Sequence, residues 1–238
     1  MNKVKKVIKK FIPKRYCKLV TEWRNLIFDG YSTKSYSQEG EDMILRRIFE
    51  KQEKGVYVDV GAHHPKRFSN TYYFYKRGWR GINIDAMPGG MRMFNKLRPR
   101  DINLEIAISD KKEIIKYYVF NDPALNTFSK QLASQRDGQE GYRILFEKDL
   151  QTYTLVEVLD KYLPRGPRID FLSIDVEGLE LQAVQSNDWN KYRPTAVLVE
   201  QLMTSLDELE QSEIMQFMKE KGYSLYAKTA NTVFYLVS

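Results

Sequence analysis

The sequence predicts an α/β fold with a mostly parallel, Rossmann-like sheet and helices on both faces. Strand patterns alternate with helical patterns along the chain, which is typical of a parallel sheet. One strand pattern, Val56–Val60, leads into Gly61, and the next, Ile82–Asp85, ends in an acid. Two consecutive strand patterns at the C-terminus predict an antiparallel hairpin that closes the sheet.

The chain length predicts one domain with additions, or at most two small domains. The 238 residues include 16 Tyr, 12 Phe and 3 Trp, which is enough apolar surface to bury a core. The single cysteine, Cys17, excludes an internal disulfide and fits a reducing compartment. We therefore expect a cytoplasmic protein.

The positive charge belongs to an N-terminal arm, residues 1–34. The net charge is +7, and residues 1–20 hold eight positive charges and no acid, so the rest of the chain carries 7 − 8 = −1. The eight charged residues are Lys3, Lys5, Lys6, Lys9, Lys10, Lys14, Arg15 and Lys18. The body, residues 35–238, is therefore unlike a nucleic-acid-binding domain.

Two interpretations of this arm remain open. Apolar residues at helical spacing in Val4–Ile12 predict a short amphipathic helix that ends at Pro13. Such a helix could lie on anionic lipid at the inner membrane face, through residues 1–20, or it could be a solvated helix packed loosely on the body. No apolar run approaches the ~20 residues that a membrane span needs.

The first half of the body contains the two strands of the expected pocket. Acids at the start of an apolar helical face, where the helix dipole favours them, predict a helix over Met43–Phe49. A turn at Gly55 leads into the first strand, and a turn at 77–81 leads into the second. The other predicted elements are helices Asn70–Lys76 and Met91–Leu97 and strands Ile102–Ile108 and Ile114–Phe120.

In the second half, residues 121–151 are the least regular part of the sequence. A helix is predicted next, over Thr154–Tyr162, with Thr152 or Thr154 as its N-cap. The proline- and glycine-containing segment 164–167 is predicted to end this helix. The other predicted elements are strands Ile169–Ile174, Ala196–Val199, Ser224–Ala227 and Val233–Val237, and helices Leu179–Ser186 and Leu206–Lys221.

The two acidic strand ends predict a nucleoside pocket. The first strand ends at Asp59 and Gly61, and the glycine allows the backbone to approach a ligand closely. The second strand ends at Asp85, which can accept hydrogen bonds from a ribose diol. A dinucleotide site would need Gly-x-Gly-x-x-Gly, and this turn has one glycine. The pocket therefore favours S-adenosylmethionine (SAM) over NAD.

Several motifs in register resemble the FkbM-type methyltransferases. The resemblance covers residues 35–200, through segments 37–42, 57–65, 70–71, 78–85 and 174–178. It implies the seven-stranded sheet of SAM-dependent O-methyltransferases, which act on hydroxyls of macrolides, other secondary metabolites and surface-glycan sugars. This chain has Asp85-Ala86 where the family usually has Glu-Pro, so its acidic side chain is one methylene shorter.

The resemblance also implies roles for the residues at the strand ends. Asp59 and Gly61 would line the methionine end of SAM, and Asp85 would hold the ribose. Ser109 and Asp110 would contact adenine, although this segment also makes an ordinary turn. The loop at Ser37 and Gln38 would cover the pocket, and the same residues could instead cap a helix.

Three carboxylates are expected at the transferred methyl group. Asp175 is the favoured general base and Glu177 the second choice, while Glu200 would orient sugar hydroxyls. Alternatively, Asp175 and Glu200 bind a divalent cation that lowers the pKa of the hydroxyl. Converging carboxylates need such compensation by a proton, a cation or a basic partner.

Two further groups complete the predicted site. His63 and His64, the only histidines, follow the glycine turn, and either could contact the substrate or act as base; a structural or solvated role is the alternative. Residues 121–151 are predicted to recognise the acceptor, with Asn126 binding a sugar hydroxyl. The alternative is a loosely packed lid.

The favoured function is methyl transfer to a sugar hydroxyl in bacterial surface polysaccharide synthesis. The alternatives are methylation of a soluble secondary metabolite and a non-catalytic scaffold in a glycan-synthesis complex. Nucleic-acid methylation is disfavoured, because the body is near neutral and lacks an Asn/Asp-Pro-Pro-aromatic motif. The sequence makes no prediction about oligomeric state.

Overall fold

A computed structural model describes residues 14–163, 168–202 and 205–238. The chain divides into two units, residues 1–34 and 35–238. The described part of the first unit contains helix α1 (Lys14–Ile27). The predicted basic helix at Val4–Ile12 and the helix stop at 164–167 lie outside the described residues. Within the described ranges, no helix is long and apolar enough to cross a bilayer.

The second unit alternates helices with strands, as the sequence predicts. Its helices are α2 (Glu41–Ile48), α3 (Tyr72–Lys76), α4 (Met91–Leu97), α5 (Lys130–Arg136), α6 (Leu155–Tyr162), α7 (Glu180–Gln185), α8 (Leu206–Leu209) and α9 (Glu213–Glu220). Its strands are β1 (Val56–Val60), β2 (Arg80–Asp85), β3 (Ile102–Glu105), β4 (Ala107–Ile108), β5 (Ile114–Phe120), β6 (Ile144–Tyr153), β7 (Phe171–Ile174), β8 (Ala196–Glu200), β9 (Tyr223–Lys228) and β10 (Thr232–Val237).

Seven strands form the main sheet, in the order β3-β2-β1-β7-β8-β10-β9. The first five are mutually parallel, and β10 is antiparallel to both β8 and β9. The predicted seven-stranded sheet with a C-terminal antiparallel hairpin is therefore confirmed. The carboxyl ends of β1, β2, β7 and β8 meet at one edge, which is where open α/β sheets bind ligands.

Helices cover both faces of this sheet, because successive strand residues point to opposite sides. Val58 packs in the larger core with Leu159 of α6 and Val184 of α7. Its neighbour Tyr57 packs in the opposite core, where the aromatic side chains of Phe49, Phe74 and Phe171 meet. The near-continuous apolar strands are what a sheet buried on both faces requires.

The segment 121–151 is more regular than the sequence predicts. It contains a 3-10 turn (Pro123–Leu125), α5 and most of β6. The strand β6 pairs antiparallel with β5 and parallel with β4 in a separate three-stranded sheet. Five of the first seven residues of β6 are exposed, and the segment begins with three apolar residues followed by three charged ones. Because apolar and polar residues do not alternate there, the sequence pattern does not predict this strand.

Capping side chains explain two differences from the predicted helices. The helix predicted over Leu206–Lys221 is two helices, because the hydroxyl of Ser212 accepts from the backbone N–H of Met215 and starts α9 anew. Thr154, rather than Thr152, caps α6 through a capping box with Glu157. The predicted third strand also divides, between β3 in the main sheet and β4 in the small one.

A buried arginine joins several of these elements. The guanidinium of Arg98, directly after α4, is 0% exposed and donates to Asp101 (2.8 Å), Thr71 (2.9 Å) and the Tyr57 hydroxyl (2.8 Å). Thr71 in turn donates to the Asp59 carboxylate at 2.9 Å. One cation therefore compensates two buried carboxylates and ties β1 to the start of α3.

We expect Arg98→Met to lower the free energy of unfolding by about 3–5 kcal/mol, because it leaves Asp59 and Asp101 buried without their cation. Arg100→Met is the matched control, since Arg100 is exposed and should change stability by about 0.5 kcal/mol or less. Urea unfolding measures both. Equal losses in the two variants would contradict a central role for Arg98.

Candidate active site

A cleft lies at the carboxyl ends of the parallel strands. It is lined by Gly61 after β1, Asp85 at the end of β2, Asp175 after β7 and Glu200 at the end of β8. The small sheet and the segment before α5 contribute the opposite wall, including Tyr117. The topology thus brings together residues that lie far apart in the sequence.

Gly61 sets how closely β1 approaches β7. Its φ of +87° is in the left-handed region, and a Cβ there would lie 1.5 Å from the backbone oxygen of Asp175. The N–H groups of Gly61 and Ala62 both donate to the carbonyl of Ile84, at 2.8 and 2.9 Å. A side chain at this position would push the glycine turn away from both neighbouring strands.

Asp85 holds the loop that follows Gly61. Its two carboxylate oxygens accept from the backbone N–H of His63 at 2.8 Å and of Met87 at 2.7 Å. Burial raises the pKa of Asp85, the two N–H donors lower it, and nearby Glu105 raises it. Each oxygen keeps a further lone pair with which it could accept from a ligand hydroxyl.

Three carboxylates converge on the cleft. Asp175, Glu177 and Glu200 each offer an oxygen within 4.8 Å of the others. Burial raises the pKa of Asp175 well above its ordinary value, and the negative charge of Glu200 raises it further. Burial also raises the pKa of Glu200 to about 8, with contributions from Glu177 and Glu180. The two side chains share a hydrogen bond, so Asp175 and Glu200 act as a carboxyl pair that holds a proton near neutral pH.

Glu177 differs from this pair because it has a cationic partner. Its carboxylate lies 3.2 Å from the Nη1 of Arg136 on α5. Burial raises the pKa of Glu177, and Arg136 opposes that shift. The residue has a φ of +53°, and its carbonyl accepts from the hydroxyl of Thr127 at 2.5 Å. Segment 121–136 therefore fixes the turn that follows β7.

Asn126 supports the other wall. Its Oδ1 accepts from the backbone N–H of Phe120 at 2.8 Å, and its Nδ2 lies 3.4 Å from the Met87 sulfur. Nearby, the rings of Tyr117 and Phe128 lie 4.6 Å apart, and both line the cleft. This wall offers an aromatic surface beside a positioned amide.

A comparison with protein-family models gives a match to the methyltransferase FkbM domain over residues 59–225. The chain belongs to the FkbM methyltransferase family. The match spans both strand ends of the pocket and all three converging carboxylates. A comparison with curated proteins found no match.

Two solved structures are distantly similar to the structure of this chain. One is a TehB-like SAM-dependent methyltransferase from Corynebacterium glutamicum, with 9% identity and a TM-score of 0.43, covering 95% of this chain and 100% of that one. The other is a protein from Pyrococcus horikoshii described as a candidate RNA methyltransferase, with 10% identity, a TM-score of 0.41 and 84% of each chain covered. The family assignment depends on the sequence match alone.

The structure brings most of the predicted site residues to the cleft. The predicted residues that line it are Gln38, Gly61, His63, Asp85, Asn126, Asp175, Glu177 and Glu200. His63 lies beside Phe68, and burial lowers its pKa, so its imidazole is neutral at physiological pH.

Two predicted cofactor residues lie away from the cleft wall. Asp59 is 5% exposed, and its side chain faces Thr71 and Arg98, because it is one position before Val60 and points to the other side of the sheet. The hydroxyl of Ser37 accepts from the backbone N–H of Asp42, in the first turn of α2, at 3.1 Å, while the N-cap residue of that helix is Gly40.

Three more predicted residues have other contacts. Ser109 donates to Asp110 at 3.1 Å, and neither lines the cleft, which is bordered instead by Ile106–Ile108. The Nδ1 of His64 accepts from the backbone N–H groups of Lys66 and Arg67, at 3.0 and 2.9 Å. His64 therefore shapes the loop and is not a candidate base.

One contact in the cleft lining is absent from the sequence predictions. The carboxylate of Glu39 accepts from both the backbone N–H and the side-chain amide of Asn231, each at 2.8 Å. Both residues line the cleft. They are 192 positions apart in the chain, and no local sequence pattern predicts their contact.

Proposed function

We propose that this FkbM family member is a SAM-dependent O-methyltransferase that acts on a sugar hydroxyl in bacterial surface polysaccharide synthesis. The observation that carries the proposal is the Asp175–Glu200 carboxyl pair, which lies in the same cleft as Gly61 and Asp85. The pair supplies a proton acceptor, and the other two residues supply a nucleoside pocket. Methyl transfer to an alcohol needs both.

The charge of the cleft supports SAM as the methyl donor. Among the described lining residues, six carry carboxylates and none is Lys or Arg. SAM carries a sulfonium cation, which such a lining favours over an anionic ligand. Gly61 allows the ends of β1 and β7 to lie close together at the cleft, and the unused lone pairs of Asp85 can accept from the ribose hydroxyls.

The same charge argument favours a neutral acceptor. A phosphate or carboxylate close to six acids would be repelled, whereas sugar hydroxyls can donate hydrogen bonds to them. Tyr117 and Phe128 offer an aromatic surface for a sugar face. The amide of Asn126 lies next to it and is the proposed contact for a hydroxyl.

The carboxyl pair explains how the hydroxyl proton is removed. SAM supplies an activated methyl group, so the protein must orient the acceptor oxygen and accept its proton. Burial and then the charge of Glu200 raise the pKa of Asp175. We propose that Asp175 keeps the shared proton and that Glu200 ionises. We therefore assign the base to Glu200 and a hydrogen-bonding role to Asp175, which reverses the order that the sequence favoured.

Asp85→Ala should weaken SAM binding by about 1–3 kcal/mol, because it removes the ribose acceptor and the clamp on His63. Asp110→Ala is the matched control, and it should change the affinity by less than about 0.5 kcal/mol, since the exposed Asp110 does not line the cleft. Calorimetric titration with SAM and S-adenosylhomocysteine measures both. Unchanged affinity in Asp85→Ala would remove the proposed ribose site.

Turnover should rise with pH through about 8, because Glu200 must be ionised to accept a proton and its pKa is about 8. Glu200→Gln should remove this rise and lower kcat by about 10²–10⁴-fold without weakening SAM binding. Asp175→Asn keeps a donor to Glu200, so it should retain the rise with pH.

The pH profile of kcat with a neutral sugar acceptor separates these variants. If Asp175→Asn loses the rise and Glu200→Gln keeps it, Asp175 is the base. Turnover that falls as pH rises through 8 would contradict both assignments.

A divalent cation is the second candidate for compensating these acids. Oxygens within 4.8 Å of one another could share one cation, since Mg²⁺ and Ca²⁺ bind oxygens at about 2.0–2.6 Å. Proton sharing predicts that dialysis against EDTA leaves turnover unchanged. Loss of turnover that magnesium restores, with the pH profile moved to lower pH, would favour the cation instead.

A further inference from the structure

Helix α1 presents a continuous apolar stripe to solvent. Its members recur at intervals of three and four residues, so they lie on one face of the helix. Their exposed fractions are 42% for Tyr16, 53% for Leu19, 45% for Val20, 65% for Trp23, 65% for Leu26 and 67% for Ile27. Phe28 and Tyr31, directly after the helix, are 77% and 61% exposed.

This stripe covers more surface than the single exposed apolar residues that ordinary protein surfaces contain. Single exposed apolar side chains are normal, but a contiguous stripe of Leu, Ile, Val and Trp marks an interaction surface. The opposite face is polar and includes the exposed Lys18, Thr21 and Arg24. A helix with these two faces can lie in the plane of an interface.

We propose that α1 binds the surface of an anionic lipid bilayer, with its apolar stripe in the boundary between headgroups and acyl chains. Charge complementarity selects this occupant. Residues 1–20 of the sequence, which precede and overlap α1, carry eight positive charges and no acid, and these charges favour an anionic surface. Trp23 and the two tyrosines are residues that favour the membrane interface.

A second copy of the chain fits this face less well. Two copies pairing through their stripes would bring two sets of the same basic charges together, whereas a bilayer supplies the opposite charge. The helix has 14 residues and is about 21 Å long, so it is too short to span the ~30 Å hydrocarbon core. It lies on the membrane in this proposal, and methyl transfer does not depend on it.

Trp23 provides a direct readout of binding. It is 65% exposed, whereas Trp79 and Trp189 are 1% and 5% exposed. Vesicles with about 30% anionic lipid should bind the full-length protein, shift its tryptophan emission to the blue, and allow quenching by brominated acyl chains. Neutral vesicles should bind it much more weakly, and added salt should release it.

The double variant Leu26→Gln, Ile27→Gln tests the stripe without changing charge. Its partition coefficient onto anionic vesicles should fall about tenfold or more, because two apolar side chains no longer enter the lipid. Thr21→Gln, on the polar face of the same helix, is the matched control and should bind like the wild type. Circular dichroism and urea unfolding check that both variants fold.

Two outcomes would overturn the proposal. One is wild-type binding by the stripe variant, which would leave charge alone as the attachment. The other is no vesicle binding by the wild type together with a concentration-dependent dimer that the stripe variant disrupts, which would make a second copy the occupant. Cosedimentation and light scattering distinguish these results.

Discussion

The structure depends on how it compensates buried negative charge, and Arg98 is the main example. Its guanidinium is enclosed between α4, β1 and the start of α3, where it compensates Asp59 and Asp101. Asp101 also accepts from the backbone N–H of Gly81 at 3.0 Å, which ties the cluster to β2. One ion cluster therefore holds β1 and β2, whose ends line the cleft, in register.

On the cleft side, Asp175 and Glu200 have no salt bridge to a cation within the part of the chain that the structure describes. Among the described residues, Glu177 is paired with Arg136, whereas the Oδ1 of Asp175 is buried without a hydrogen-bond partner. Desolvated acids without a cation disfavour their charged forms, so the pair keeps a proton. This arrangement costs stability at high pH, where both acids would ionise, and it gives the pair a pKa near the range in which a general base works.

The sequence predicts the strands and the position of the cleft more accurately than it predicts which acidic side chains line that cleft. Apolar alternation identifies the main sheet, and the glycine turn identifies its binding edge. Asp59 and Asp85 both stand at strand ends in the sequence and have the same strand parity, because Asp59 pairs with Asn83. Asp85 is the last residue of β2 and lies two register positions nearer the cleft than Asp59, whose side chain contacts Thr71. Contacts such as Glu39 with Asn231 arise from topology, because the C-terminal hairpin folds beside the loop before α2. Strand β6 escapes prediction because its exposed first half lacks a clear apolar period.

Charge is separated along this chain in a way that links its two proposed interactions. The N-terminal residues are basic and would attract an anionic lipid surface, while the cleft lining is acidic and would repel anionic headgroups. An acceptor carried by a charged lipid could therefore present its neutral sugar to Glu200 only if its phosphates stayed outside the cleft. The acidity that raises the pKa of the carboxyl pair thus also selects the uncharged part of the acceptor. A single electrostatic feature accounts for both the proposed base and the proposed preference for a neutral hydroxyl.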